Sequence, residues 1–326
     1  MLHLVYNPAA GRGRAPSSLE AALRLLDQAG AGYRLHTSEA PGHASELAAA
    51  TPPGSVVVAV GGDGTVNEVV RGLVLRRPGR CLAHSGTVGA RQADDAVTGT
   101  PVSPEANRVP LAERKTLGVI PVGSGDDFAF AIGLRRRDVE GAVARLLAPS
   151  PRAIDLGWVN GEPFVNALGV GFDAEVAHRL ALAPRFLKGL AAYLYAVMVT
   201  LGRLRPVEVE VCVDDAVLYR GRSLLVATQN GPRTGGSFLF APDAHNDDGQ
   251  LDVVVAGDLG VPGTLALLPR VMRGGHLGHP QVHLTRGRRL SLEWATPRHA
   301  HTEGEPLGAT RSFEVHVEPG GLRVLG

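Results

Sequence analysis

Apolar positions along the first half of the chain fall into short continuous runs separated by stretches of helical period. Leu2–Tyr6 (LHLVY) predicts a strand, and Leu19–Ala29, stopped by Gly30, predicts a helix. Tyr33–His36 and Ala44–Ala50 repeat the pair. Val56–Val60 (VVVAV) is apolar at every residue and runs into Gly61-Gly62-Asp63-Gly64-Thr65, with a helix expected from about Val66 to Leu75. Leu117–Val122 (LGVIPV) and a helix over Val139–Leu147 complete the series. Strands apolar on both faces, alternating with helices, predict a doubly wound α/β domain over residues 1–150.

Beyond Arg152 the pattern shortens and turns become frequent. Strands are expected at Phe164–Leu168, Val207–Val213, Ser223–Gln229, Leu251–Val255, Gln281–Thr285, Arg289–Glu293 and Phe313–Val317, with helical stretches near 174–204 and 261–273. This predicts a mostly antiparallel, β-sandwich-like domain over residues 151–326. The boundary lies at the prolines of Pro149–Pro151. Residues 82–114 are rich in Gly, Ser, Thr, Pro and charge without any period, and read as a mobile insertion carrying no catalytic residue.

Composition narrows the function by exclusion. A net charge of +1 gives no global pull toward nucleic acid, so no nucleic-acid partner is expected. Cys81 and Cys212 lie far apart and form no CxxC, which argues against a disulfide framework or a zinc site. The longest apolar run, Gly189–Gly202, has 14 residues and is too short for a membrane-spanning helix, which needs about 20. No secretory signal is evident in MLHLVYNPAAG, so a cytoplasmic protein is expected.

The strongest chemical signal is the strand running straight into Gly61-Gly62-Asp63-Gly64-Thr65 and a helix start. Glycines let a phosphate approach the backbone, and the free N–H groups of a first helical turn favour anions. Asp63 would repel a phosphate unless a cation lay between them, so the loop suits a metal–nucleotide complex. A plain βα turn with Thr65 or Asn67 as helix cap is the structural alternative.

With the following Asn67-Glu68, this loop resembles the nucleotide loop of the diacylglycerol kinase-like family, whose relatives include sphingosine kinases and, more distantly, NAD kinases. Four further segments match in the family's order. Asn7-Pro8-Ala9-Ala10-Gly11 resembles its NPxSG turn, and Thr37 falls where a nucleotide-contacting Thr stands. Gly123-Ser124-Gly125-Asp126-Asp127-Phe128-Ala129 resembles GTxNDFA. Pro242-Asp243-Ala244 with Asp247-Asp248-Gly249 resembles PxAxxDDG, and Gly304-Glu305 resembles the closing DGE. Asp126 for Asn, Glu303 for Asp and Ser124 for Thr are departures, and Asp126 would place an extra charge near the triphosphate.

The resemblance implies ATP and Mg²⁺ as cofactors and a lipid hydroxyl, presented at a membrane surface, as acceptor. Asn7, Gly11, Thr37, Gly61, Gly62, Asp63, Gly64, Thr65, Asn67 and Ser124 would hold the nucleotide. Asp63 and Asp127, with Asp155, would organise Mg²⁺ on the phosphates, and Glu305 would be the general base. A second Mg²⁺ would take the Asp248 carboxylate and the carbonyls of His245 and Gln250. An Asp-Gly turn is the alternative there. The apolar stretch Leu180–Leu204, with Phe186, Tyr193 and Tyr195 between Arg185, Lys188, Arg203 and Arg205, reads as a buried helix or a lipid-facing wall. His299 and His301 read as surface residues, and Asp173 as a helix N-cap. The alternatives to a lipid kinase are an NAD kinase, which the later motifs disfavour, and a weakly catalytic regulator, motivated by Asp126 and Glu303.

Overall fold

A computed structural model describes residues 1–77, 104–182, 184, 187, 190–203 and 205–326. Residues 82–103 of the expected insertion, Cys81, and Arg185, Phe186, Lys188 and Leu204 of the apolar stretch lie outside the described residues.

The N-terminal domain contains β1 (Leu2–Tyr6), α1 (Ala15–Gln28), β2 (Tyr33–Thr37), α2 (His43–Ala50), β3 (Val56–Gly61), α3 (Asp63–Val74), β4 (Thr116–Pro121), α4 (Asp127–Ala131) and α5 (Val139–Leu147). The β-branched run of β3 is buried from Val57 to Val60, and each such side chain contributes about 1.5–3 kcal/mol relative to exposure. Pro16 near the start of α1 and Asp138, which accepts the Gly141 N–H at 2.8 Å, set two helix starts. All pairings among the first four strands are parallel, in the order β4-β3-β1-β2. The chain therefore reverses its winding between β1 and β3. In open α/β sheets the crevice at the carboxyl ends of the strands flanking such a switch is where ligands bind.

The C-terminal domain is antiparallel and β-rich. Its elements are β5 (Pro151–Val159), β6 (Glu162–Phe164), β7 (Ala167–Gly171), α6 (Phe172–Ala181), α7 (Leu190–Arg203), β8 (Val207–Val213), β9 (Ala216–Ser223), β10 (Leu225–Gln229), β11 (Leu251–Ala256), α8 (Val261–Val271), β12 (Val282–Gly287), β13 (Arg289–Thr302) and β14 (Glu305–Leu325). A register break in β13 between Glu293 and Arg298 lets its first half pair with β8 and its last three residues pair with β7. One core gathers buried side chains of these strands, Leu292, Trp294 and Phe313 among them. A second, on the outer face of β10 and β11, is covered by α6, α7 and α8.

α7 departs from the uniformly buried helix that its composition suggests. Ala196, Val197 and Leu201 face the core, while Tyr195 is 41% and Met198 55% exposed.

The two domains share one 14-stranded sheet. β14 starts in the C-terminal domain, pairs along β5, and ends alongside β4, with Arg323 opposite Thr116 and Val324 opposite Leu117. Leu322, Val324 and Leu325, with Ile154, Leu156 and Trp158 of β5, pack into the N-terminal core. β5 and β14 thus tie the first domain to the second through one continuous strand pair.

Candidate active site

The loops after β1, β3 and β4 meet at the switch point. Asn7 Oδ1 accepts the Ala9 N–H at 2.9 Å, and its Nδ2 donates to Thr65 Oγ1 at 3.1 Å, so one side chain ties the first turn to the β3 loop. Gly11 sits at φ +65° with its Cα facing the Val122 carbonyl, and a Cβ there would lie 2.3 Å from that oxygen. The β3 and β4 loops touch at Gly62 and Gly123, where a Cβ on Gly62 would stand 3.0 Å from the Gly123 Cα. Thr37, opposite Tyr6 at the end of β2, and Ser124 are exposed beside these turns. Asn7, Gly11, Thr37, Gly61, Gly62, Gly64, Thr65 and Ser124 are thereby gathered at the carboxyl ends of the parallel strands. Asn67 is turned away from the loop: it is buried and donates to Thr302 Oγ1 at 3.4 Å, bridging α3 to the end of β13.

Two carboxylates converge in the same place. A Cβ on Gly125 would be 2.8 Å from Asp63 Oδ2 and 3.2 Å from Asp127 Oδ2. Asp63 Oδ1 accepts the Phe128 N–H at 3.0 Å. Burial, followed by the negative charges of Asp127 and Asp126, pushes the Asp63 carboxyl up to about 7.

Asp126 does not face the cleft as its sequence position suggests. At φ +54° it takes the left-handed conformation that Asn and Asp tolerate. Its carboxylate turns back onto its own loop and accepts the N–H groups of Gly123 at 2.7 Å and Arg137 at 3.3 Å. Burial raises its pKa, against those two bonds and the charges of Arg136 and Arg137.

Asp127 is held from the other domain. Arg233 Nε donates to its Oδ1 at 2.7 Å, and the Gly236 N–H reaches Oδ1 and Oδ2 at 3.0 and 2.8 Å. Arg233 also donates to the carbonyls of Gly125 and Asp126 and lies 4.2 Å over the Phe130 ring. Sequence reasoning passed over Arg233. Its one local signal is a cation set inside Gly231-Pro-Arg-Thr-Gly235-Gly236.

The closing turn completes the arrangement. Glu303 Oε1 accepts three backbone N–H groups, from Val165, Asn166 and Ala167, at 3.0, 2.8 and 3.2 Å. Burial nevertheless lifts its carboxyl to about 8, with the nearby Asp63 charge adding to the rise. The Glu that stands here in place of Asp reaches all three donors with one oxygen. Glu305 opens β14 at the domain junction. A Cβ on Gly64 would lie 2.7 Å from Glu305 Oε1, so this acid of the second domain rests against the glycine loop of the first.

Asp155 lies elsewhere. Its carboxylate accepts the N–H groups of Gly249 at 2.6 Å and Gly320 at 2.8 Å, which ties it to the Asp247-Asp248-Gly249 loop rather than to Asp63 and Asp127. In that loop Asp248 Oδ1 accepts the Gln250 N–H at 3.0 Å, and the His245 Nδ1–H donates to the Asp243 carbonyl at 2.8 Å. The exposed Asp248 carboxylate is a hard oxygen donor that could hold Mg²⁺ with the His245 and Gln250 carbonyls.

Two readings of histidine and aspartate change. His301 is 4% exposed rather than a surface residue, and Asp173, inside the first turn of α6 rather than capping it, lies 3.2 Å from its Nε2. His299 is exposed and stacks on His178 at 5.3 Å between ring centres.

Comparison with known proteins places these features in a family. The sequence model of the diacylglycerol kinase catalytic domain matches residues 1–159, and that of the YegS C-terminal NAD kinase beta sandwich-like domain matches residues 166–326. A diacylglycerol kinase of Bacillus subtilis is 29% identical over 304 residues, covering 93% of this chain and 88% of its own. One of Staphylococcus saprophyticus is 24% identical over 304 residues, again covering 93% and 88%. A crystal structure of a diacylglycerol kinase from Bacillus anthracis shares the fold at a TM-score of 0.66 and 21% identity, covering 99% of this chain and 96% of that one.

Proposed function

The chain belongs to the diacylglycerol kinase-like family, and from that premise we propose that it is an ATP-dependent lipid kinase, transferring the γ-phosphate of ATP to a lipid hydroxyl, diacylglycerol or a related lipid. The observation that carries the reading is Glu305, an acid of the second domain lying against Gly64 of the glycine loop. Phosphoryl transfer is largely positioning and charge neutralisation. The glycines at 61, 62 and 64, with Asn7 and Thr65 shaping the turn and Ser124 and Thr37 beside it, hold the triphosphate. The acid cluster of Asp63 and Asp127 fits a hard cation, because burial and mutual repulsion disfavour charge on Asp63 until a cation balances it. Mg²⁺, when bound, neutralises the phosphate oxygens. Asp127, held by Arg233 and Gly236, keeps the β4 loop in place beneath it.

Glu305 accepts the proton of the lipid hydroxyl as its oxygen forms a bond to the γ-phosphorus and ADP departs. No helix among the described residues is long and apolar enough to cross a membrane. Exposed apolar side chains on the helical layer, Tyr195 and Met198 of α7 and Leu265 of α8, offer a surface for peripheral contact with a bilayer that presents the acceptor.

Asp126 and Glu303, the departures that would have favoured a weakly catalytic regulator, both accept backbone N–H groups, so each carboxyl has structural partners of its own. The test is Glu305→Gln in mixed micelles of candidate lipid alcohols. General base catalysis contributes about 10²–10⁴-fold, so kcat should fall by that factor, equivalent to about 3–5 kcal/mol, while ATP affinity holds. Full activity in the variant would place the base elsewhere.

A further inference from the structure

The side chain that faces Glu305's own turn from behind is His301. The Gly304 N–H donates to His301 Nδ1 at 3.1 Å, which requires that nitrogen to be the unprotonated one. The proton therefore sits on Nε2, which donates to Asp173 Oδ2 at 3.2 Å. Asp173 is anchored in turn: its Oδ1 accepts the Ala174 N–H at 2.9 Å in the first turn of α6. The packing around the pair is closed. At Gly169 a Cβ would come within 1.9 Å of Asp173 Oδ2 and 2.5 Å of His301 Nε2, so the strand beneath has room for hydrogen only.

The turn being held is one that needs holding. Glu303 at φ +53° and Gly304 at φ +84° are two consecutive residues in the left-handed region, a conformation costly for a non-glycine residue. The Glu303 carboxylate pins the turn to the N–H groups of 165–167 on one side. His301 pins the Gly304 amide on the other, one residue before Glu305.

We propose that His301 and Asp173 are positioning residues for the reaction: Asp173 fixes the imidazole tautomer, and the imidazole holds the Gly304 amide so that Glu305 meets the acceptor hydroxyl over Gly64. The proposal rests on Glu305 being the general base. It adds that a chain of hydrogen bonds from α6 through β13 sets the placement of that base.

The two nitrogens can be tested separately, since Asn places an oxygen near the Nδ1 position and Gln places an amide nitrogen near the Nε2 position. His301→Asn keeps an acceptor for the Gly304 N–H and should hold kcat within about threefold. His301→Gln keeps the link to Asp173 but drops the Gly304 amide, and should lose at least about tenfold in kcat. KM for ATP should stay within about twofold in both. In the wild-type protein, ¹⁵N spectra of the His301 ring should show a protonated Nε2 and a bare Nδ1, and the Gly304 amide should exchange faster in His301→Gln than in His301→Asn. Equal losses in the two variants, wild-type kcat in His301→Gln, or a proton on Nδ1 would each overturn the proposal. Glu305→Gln, run alongside, separates the two claims: activity retained there removes the base assignment, whereas activity lost there but kept in His301→Gln removes only the positioning role.

Discussion

Burial makes charge on the Asp63 carboxylate costly to the folded protein, and Asp63→Asn isolates that cost. The amide preserves the oxygen that accepts the Phe128 N–H, and it can donate toward Asp127, where the carboxylate repelled it. Raising the pKa from 3.8 to about 7 corresponds to a ceiling of about 4 kcal/mol of penalty on the charged form. Relaxation of the loop should leave roughly 2 kcal/mol, or about 4–8 °C in melting temperature for a domain of this size.

The sign follows from proton counting. Because the folded pKa is raised, the native state keeps a proton that the unfolded chain releases. The associated stability is full below pH 3.8 and is lost as pH rises through about 7. Asn has no such dependence. Melts in EDTA should therefore coincide near pH 4 and separate through that window, with Asp63→Asn the more stable protein at pH 8. Added Mg²⁺ should close the gap by stabilising only the wild type, and phosphoryl transfer should be lost in the variant. A variant less stable than wild type at pH 8, or a gap that ignores pH, would refute the account.

Arg233→Ala leaves Asp127 buried with only the Gly236 N–H, and removing one partner of such a pair costs about 3–5 kcal/mol. The melting temperature and the apparent affinity for ATP should fall together, Arg233→Lys should recover only part, and an unchanged melt would remove the clamp. Asp248→Ala should blunt the response of the melting temperature to Mg²⁺ at a site separate from Asp63, and an identical Mg²⁺ titration in the variant would leave only a turn.

How much of this was legible in the sequence depended on how local each cause is. β1, β3 and β4 were readable because both of their faces are buried and the runs LHLVY, VVVAV and LGVIPV are almost free of charge. β5 was not, since Pro151, Asp155 and Gly157 interrupt its apolar positions and its partner β14 lies far along the chain. Phe164–Leu168, expected as one strand, straddles β6 and β7, because Val165 and Asn166 form the turn that donates to Glu303. The glycine loop could be read from one short segment, since its chemistry needs only glycines, an acid and a helix start. Arg233 and His301 could not, because their partners stand 106 and 128 residues away. Asp126 shows the converse limit: its identity was visible, but the direction of its carboxylate follows from a positive φ that no pattern announces.

Because β14 carries Glu305 at one end and Leu322–Leu325 at the other, ribosomal synthesis adds the two in close succession. Leu322 follows Trp158 by 164 residues (322 minus 158), so at typical elongation speeds of 5–20 residues per second the nascent N-terminal domain waits about 8–33 s for the last pieces of its core. Throughout that interval its glycine loop is already made, while the edge of β4 and the slots for Leu322, Val324 and Leu325 stand open. A chain halted anywhere before β14 lacks Glu305 and that packing at once.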